Sequence, residues 1–173
     1  DVISWETMVE RRNSGLANIL GNLVIRTNSM SNKYFGGLVE NKNAAEGEDA
    51  SVDEDLKASV LASVKKTVEK MDQLRVADAI TSIFEIFRRC NKYIDETMPW
   101  ALAKDEAKKD RLATVLYNLT ETIVIGGSLL ESFMPETAEK ILSQLNAEKR
   151  KLDEMDTFGL YPSGNKVTQT PQI

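Results

Sequence analysis

Two polar side chains near the start of the chain have the type and spacing to hold a flat, hydrogen-bonding ligand. Asn22 and Arg26 are four residues apart, so they share one face of a helix, beside its apolar stripe. Asn offers a donor and an acceptor, and Arg offers a planar fork of donors that matches the acceptor edge of a pyrimidine or a phosphate. The spacing also fits a structural alternative, in which Asn22 bonds a neighbouring helix and Arg26 forms a salt bridge.

A second polar group surrounds a Pro-Trp pair. Asn91 and Asp95 are also four residues apart, and Pro99 must end their helix because it lacks an amide proton and disfavours helical geometry at the preceding residue. Trp100 then starts a new direction, in which its indole can be held outside the core. Single-stranded nucleic acids are bound by stacking and by hydrogen bonds to base edges. These residues predict a slot for an unstacked base. The alternative is that Trp100 is a hydrophobic plug beneath the bend.

The elements that must position these residues are helices. Apolar residues recur at three- and four-residue spacing in five segments, which predicts helices over about 4–35, 52–71, 75–96, 104–133 and 135–145. Gly36-Gly37 should end the first helix, and Gly126-Gly127 should allow a kink or a tight helix contact.

The segments outside the helices are expected to be a loop and a tail. Residues 38–51 are polar and acidic, which favours an exposed loop. We expect Phe158, Leu160 and Tyr161 to pack an irregular tail, 146–173, onto a helical bundle, 4–145. Together these parts predict one all-α domain over residues 1–173.

Composition agrees with this fold class. The chain has 173 residues, of which 42% are hydrophobic and 6% aromatic, and it carries few glycines or prolines. That is enough for one mostly helical, soluble domain with a sizeable core. The chain has no run of about 20 apolar residues, so the sequence predicts no membrane-spanning segment. Cys90 is the single cysteine, so we expect a small buried hydrophobe and a reducing, cytoplasmic setting.

The charge is unevenly distributed. The net charge is −5, which argues against general nucleic-acid binding. Between residues 40 and 55, seven acidic residues face Lys42 alone, a local charge of −6, and we interpret this block as a solvated surface. Three basic residues gather near the Pro-Trp pair, where a partner could dock: Arg88, Arg89 and Lys92.

Several chemistries are excluded. The chain contains no histidine, which removes the commonest general base, most zinc sites and every Ser–His or Cys–His pair. No P-loop or dinucleotide fingerprint occurs. We therefore predict no catalytic residues and no metal ligands, and favour a binding function.

Three segments resemble the anticodon-binding domain of methionyl-tRNA synthetase. Residues 17–27 (ANILGNLVIRT), continuing into 32–37 (NKYFGG), are similar to its first helix. Residues 91–104 (NKYIDETMPWALAK) are similar to its second signature, and 158–164 (FGLYPSG) to the segment that closes it. The resemblance covers nearly the whole chain and implies an anticodon-binding helical bundle.

The resemblance also implies roles for the residues singled out above. The residue matching Trp100 stacks on an anticodon base, and those matching Asn22 and Arg26 help to read the first base of CAU. The positions that shape this pocket match Asn91, Asp95 and Pro99.

The family's parent enzyme uses ATP to join methionine to its tRNA through an N-terminal Rossmann domain. The HIGH and KMSKS motifs of that domain are missing here, and the abrupt N-terminus reads as a cut within a larger chain. The resemblance therefore implies a domain without catalytic power. Its implied partners are methionine tRNA and the catalytic part of the same polypeptide, to which the cofactors ATP and zinc belong.

Two other functions stay open on the sequence alone. The chain could be a protein-interaction module, in which Trp100 would be part of the core. It could also be the anticodon domain of another class I synthetase, such as the valine or cysteine enzyme.

Overall fold

The computed structural model describes the backbone of residues 5–168 and the side chains of residues 15–168. The predicted start of the first helix at residue 4 and the last part of the predicted tail, 169–173, lie outside the described residues. Within them the order of elements is α1 (Trp5–Phe35), β1 (Leu38–Val39), α2 (Glu48–Asp72), α3 (Val76–Thr97), α4 (Pro99–Leu102), α5 (Lys109–Leu130), α6 (Pro135–Gln144) and β2 (Asn165–Lys166). The all-α class is confirmed, with five helices of ten residues or more and the short α4 between α3 and α5.

The apolar stripes read from the sequence form the core. Leu16, Leu20 and Leu23 of α1 are buried, as are Leu56 and Val60 of α2. Apolar residues at the same spacing in α3, α5 and α6 are buried as well, except Phe84 of α3, which is partly buried. Burial of this face contributes most of the stability of such helices, because an isolated helix is marginal in water.

The central helix is α5, which packs against every other helix of the described bundle. With the turn before it, Glu106–Leu130, it is long and apolar enough to pass for a membrane span, but its most apolar window is 100% buried inside the protein. Such burial is typical of the core helix of a globular domain. The pair Gly126-Gly127 makes a tight contact here, since a Cβ on Gly126 would overlap the Phe87 ring of α3.

The end of α1 is set by glycine, as predicted. Gly36 and Gly37 have φ values of 61° and 87°, which favour glycine. The Gly37 amide donates to the Ser31 carbonyl at 3.0 Å and closes the last turn. A Cβ on Gly37 would lie 2.9 Å from Asn32 Oδ1, so the space there is also restricted.

The prediction of an exposed loop over 38–51 is wrong in part. Leu38 and Val39 pair with Lys166 and Asn165 in a short antiparallel ladder. Farther along, the Ala44 amide donates to Thr114 Oγ1, and α2 already begins at Glu48. The strand partner is remote in sequence, so local patterns carried no signal for it.

The tail packs on the bundle, although not through all three predicted side chains. Tyr161 is buried and Phe158 is partly buried against the core. Leu160 is 42% exposed, so its predicted packing is wrong. The backbone here is held instead by Glu121 of α5, whose carboxylate accepts the amides of Gly159, Leu160 and Tyr161.

Candidate nucleic-acid interface

The turn between α3 and α4 holds Trp100 at the surface. Met98 takes a left-handed conformation, with φ 48°, and its amide still donates to the Ile94 carbonyl at 2.9 Å. Pro99 is buried and occupies the first position of α4, where a missing amide proton costs nothing. The chain therefore changes direction at Met98, as the sequence predicted. Trp100 is left 41% exposed, which is unusual for so large an apolar side chain.

Arg26 of α1 lies against this indole. The guanidinium carbon is 5.7 Å from the centre of the Trp100 ring, a cation–π distance, and Arg26 is exposed like Asn22 one turn before it. Neither Arg26 nor Asn22 forms a side-chain hydrogen bond or ion pair within residues 15–168. The structural alternative, a salt bridge for Arg26 and a helix-to-helix bond for Asn22, is therefore not observed. Two distant segments meet in one solvent-open place.

The remaining predicted residues, Asn91 and Asp95, lie on α3, which packs against α1. The position of a Cβ on Gly15 of α1 is 4.0 Å from the Phe84 ring of α3, while Arg26 meets Trp100 just beyond the end of α3. These two contacts show that α1 and α3 run side by side in the same direction.

The two helices carry matched positions along their length. Asn22 follows Gly15 by seven residues, and Asn91 follows Phe84 by seven, so both amides lie two turns farther along their helices. Asp95 is exposed one turn after Asn91, which is half-buried. Together α1, α3 and the Trp100 turn carry one ring, one guanidinium, two amides and one carboxylate, of which the ring and the guanidinium are in contact.

An ion-pair cluster anchors the last turns of α3. Arg89 donates to Asp55 of α2 at 2.7 Å and to Glu96 of its own helix at 2.8 Å. Its side chain is only 9% exposed, so the expectation that Arg89 is available to a partner is wrong. The cluster fixes the end of α3, from which the Trp100 turn departs.

A buried network lies beside this cluster. Asp53 accepts two hydrogen bonds from Arg111 of α5, at 2.7 and 2.9 Å, and one from the Tyr93 hydroxyl at 2.6 Å. Asn118 donates to Asp53 at 3.2 Å, and burial raises the pKa of Tyr93 above its ordinary value. Asp53 is 3% exposed, so the interpretation of the acidic block 40–55 as solvated surface is wrong at this position.

Sequence reasoning missed these supporting residues for a physical reason. The one available signal was the seven-residue spacing of Arg111 and Asn118, which puts both polar side chains on the apolar face of α5. Buried charges need partners, and the partner of Arg111 lies on another helix.

A cleft elsewhere on the molecule does not share this chemistry. An open cleft of about 620 Å³ lies between α6 and the tail, lined by residues that include Arg150 and Tyr161. The Arg150 guanidinium is already paired with Glu121 at 2.7 Å. Within the described residues no group of three or more His, Cys, Asp or Glu side chains could hold a metal ion.

Comparison with known proteins identifies the class. Residues 44–172 match the family described as the anticodon binding domain of methionyl tRNA ligase. The class that this match defines is the anticodon-binding domain of an aminoacyl-tRNA synthetase. The match includes Asn91, Asp95, Pro99 and Trp100, whereas Asn22 and Arg26 precede it.

Relatives of known sequence and structure agree. The chain is 44% identical over 167 residues to the methionine–tRNA ligase of Caldanaerobacter subterraneus and 42% identical over 164 residues to that of Clostridium tetani. These alignments cover 96% and 95% of this chain but 26% and 25% of the relatives. The crystal structure of the apo methionyl-tRNA synthetase of Mycobacterium tuberculosis superposes with a TM-score of 0.79 at 33% identity, covering 96% of this chain and 33% of that one.

The chain belongs to the family of anticodon-binding domains of methionyl-tRNA synthetase. It spans about a quarter of the length of the curated relatives. The other class I synthetases considered from the sequence are set aside by this result.

Proposed function

We propose that this chain binds the anticodon loop of methionine tRNA and reads the CAU anticodon through the groove between α1 and α3. The observation that carries the proposal is the exposed pair of Trp100 and Arg26, 5.7 Å apart and free of other ionic partners within the described residues. An aromatic face beside an unpaired guanidinium suits a splayed-out base, which needs a stacking surface and edge donors.

Each residue has a distinct part in this proposal. The first anticodon base stacks on Trp100, and Arg26 and Asn22 donate to the acceptors of its edge. Asp95 and Asn91, on the opposite side of the groove, orient donors of the base or of Arg26. Pro99 contributes by holding the turn rather than by contact, since it is buried. The preformed turn lowers the ordering cost of binding.

The activity of the whole protein is part of the same proposal. In a parent enzyme this chain would select the tRNA, while a catalytic domain of the same polypeptide would use ATP to attach methionine. ATP, zinc and all catalytic residues belong to that domain in this proposal, and the setting is the cytoplasm. No step assigned to the present residues requires a metal or a cofactor.

The test is binding of anticodon stem-loops that carry CAU or a variant of its first base. Stacking contributes about 1–3 kcal/mol per base, so Trp100→Ala should weaken CAU binding by about 5- to 150-fold. Trp100→Phe keeps a ring and should retain much of the affinity. Arg26→Gln should reduce the preference for CAU over the variant loop. Titrations at low salt suit a chain of net negative charge.

Leu160→Ala provides a matched control. Leu160 is 42% exposed, almost the same as Trp100 at 41%, but it lies on the tail. It should leave binding of both loops unchanged. Equal affinity of the unmodified chain for the two loops would contradict the proposal.

Circular dichroism separates the proposal from the protein-interaction alternative. That alternative needs Trp100 in the core, so it expects Trp100→Ala to unfold the domain, whereas an exposed ring predicts an unchanged fold.

A further inference from the structure

We infer that the RNA-binding surface continues from the Trp100 slot along the exposed row of α3 to Arg88, and that the Arg88 guanidinium contacts a backbone phosphate of the bound RNA. This inference rests on the proposed function, because it extends the same groove. It assigns a contact that is independent of base identity.

The first observation is a second pairing of an arginine with an aromatic ring. The Arg88 guanidinium carbon is 5.6 Å from the centre of the Phe84 ring, nearly the distance between Arg26 and Trp100. The Phe84 ring in turn lies against α1 at Gly15. Contact with the ring limits the positions of the guanidinium, which reduces the entropy lost when Arg88 binds a ligand.

The second observation is that Arg88 is exposed and unpaired. It forms no ion pair within residues 15–168. The carboxylate one turn before it, Glu85, is bound to Lys66 of α2 at 3.6 Å. On α1, the residues about one and two turns beyond Gly15, which lies against Phe84, are the neutral amides Asn18 and Asn22. Arg88 therefore presents a full positive charge to the groove.

The position of Arg88 decides what it can contact. Phe84, Arg88, Asn91 and Asp95 recur at three- and four-residue spacing on one face of α3. Arg88 precedes Thr97, the last residue of α3, by nine residues, or about 14 Å along the axis. It is too far from the Trp100 turn to share the base stacked there. A strand that leaves the slot along this row presents a phosphate with each nucleotide, and an arginine fork matches a phosphate.

The test is the salt dependence of stem-loop binding by the full chain. For each variant, the dissociation constant is measured over a series of salt concentrations with the CAU loop and with a first-base variant. Arg88→Gln should weaken both loops by the same factor, about 3- to 10-fold, and reduce the slope of log K against log salt by about 0.7. Arg88→Lys keeps the charge and should restore most of the slope.

Lys140→Gln is the matched control, because it removes one exposed charge from α6, an element that packs on α5 rather than along the groove. Lys140→Gln should change neither the salt dependence of binding nor the preference for the CAU loop over the first-base variant. A slope for Arg88→Gln equal to that of the unmodified chain would overturn the inference, as would a loss confined to the CAU loop. Failure of the unmodified chain to prefer CAU would instead overturn the proposed base reading.

Discussion

Arg88 and Arg89 are neighbours in sequence but lie in opposite environments. Successive residues of a helix are rotated by about 100°, so Arg88 points to solvent and Arg89 points toward α2. There Arg89 is held by Asp55 and Glu96. The sequence grouped both as available to a partner, and this was wrong for Arg89. The charges near a residue in sequence do not show whether its side chain pairs with a carboxylate on another helix.

The buried tyrosines predict a loss of stability in alkaline solution. Burial raises the pKa of Tyr117 and of Tyr161 to about 12, from an ordinary value near 10. Between these values the folded protein retains protons that the unfolded chain loses, so the free energy of unfolding should fall as the pH rises from about 10 to about 12. Denaturant unfolding at a series of pH values checks this. A flat profile over that range would contradict it.

A titration identifies the groups responsible. In the folded protein, the tyrosinate absorbance of Tyr117 and Tyr161 should rise only at pH values above those at which an ordinary tyrosine ionises. Tyr161→Phe removes one of them and should flatten the profile, although it also loses the 2.6 Å bond from the hydroxyl to the Leu145 carbonyl.

The two glycines of the Gly126-Gly127 pair in α5 have different neighbours, and only Gly126 lies against α3. The sequence predicted a kink or a tight contact at Gly126-Gly127. In the structure Gly126 lies against Phe87, whereas a Cβ on Gly127 would sit 3.5 Å from Ile141, an ordinary contact. Only the arrangement of the neighbouring helices distinguishes the two glycines.

Substitution of these glycines gives a matched test of the contact. Gly126→Ala should destabilise the protein by about 1–3 kcal/mol, because the new methyl group overlaps the Phe87 ring. Gly127→Ala should be neutral or stabilising by up to about 1 kcal/mol, since alanine favours helix and the site has room. Chemical denaturation of both variants provides the measurement. Equal effects would show that α3 and α5 do not pack as described.

The closure of the bundle by its tail depends on one buried ion pair. Arg150 donates to both oxygens of Glu121, at 2.9 and 2.7 Å, and Glu121 is 0% exposed. The same carboxylate accepts three tail amides, so the pair joins the core helix α5 to the segment 158–164. The family resemblance implied that this segment closes the domain but did not indicate its anchor.

Loss of the Arg150–Glu121 pair should lower the free energy of unfolding far more than loss of the exposed Lys149–Glu131 pair. Arg150→Met leaves a buried carboxylate without its cation and should cost about 3–5 kcal/mol. Lys149→Met removes the adjacent residue, which pairs with Glu131 at the surface, and should cost no more than about 1 kcal/mol. Denaturant unfolding compares the two, and limited proteolysis should show earlier cleavage of the tail in Arg150→Met. Similar losses in both variants would contradict this account of the closure.

Much of the fold could be read from periodicity alone. Spacings of three and four located five long helices to within a few residues at most ends, because an amphipathic face is a local property of the chain. The pairing of β1 with β2 and the early start of α2 could not be read in this way. The strand pairing joins residues remote in sequence, and the first turn of α2 is acidic and carries no apolar stripe.

The sequence by itself determined the helices, the bend at Pro99 and the residue types of the base slot, since these follow from local geometry and side-chain chemistry. Only the tertiary structure decided that Trp100 is exposed and lies against Arg26. It also decided that Asp53 and Arg89 are buried supports rather than surface charges. The reason is physical: a side chain's exposure and ionic partners depend on which helices pack together, and that packing is a property of the assembled bundle.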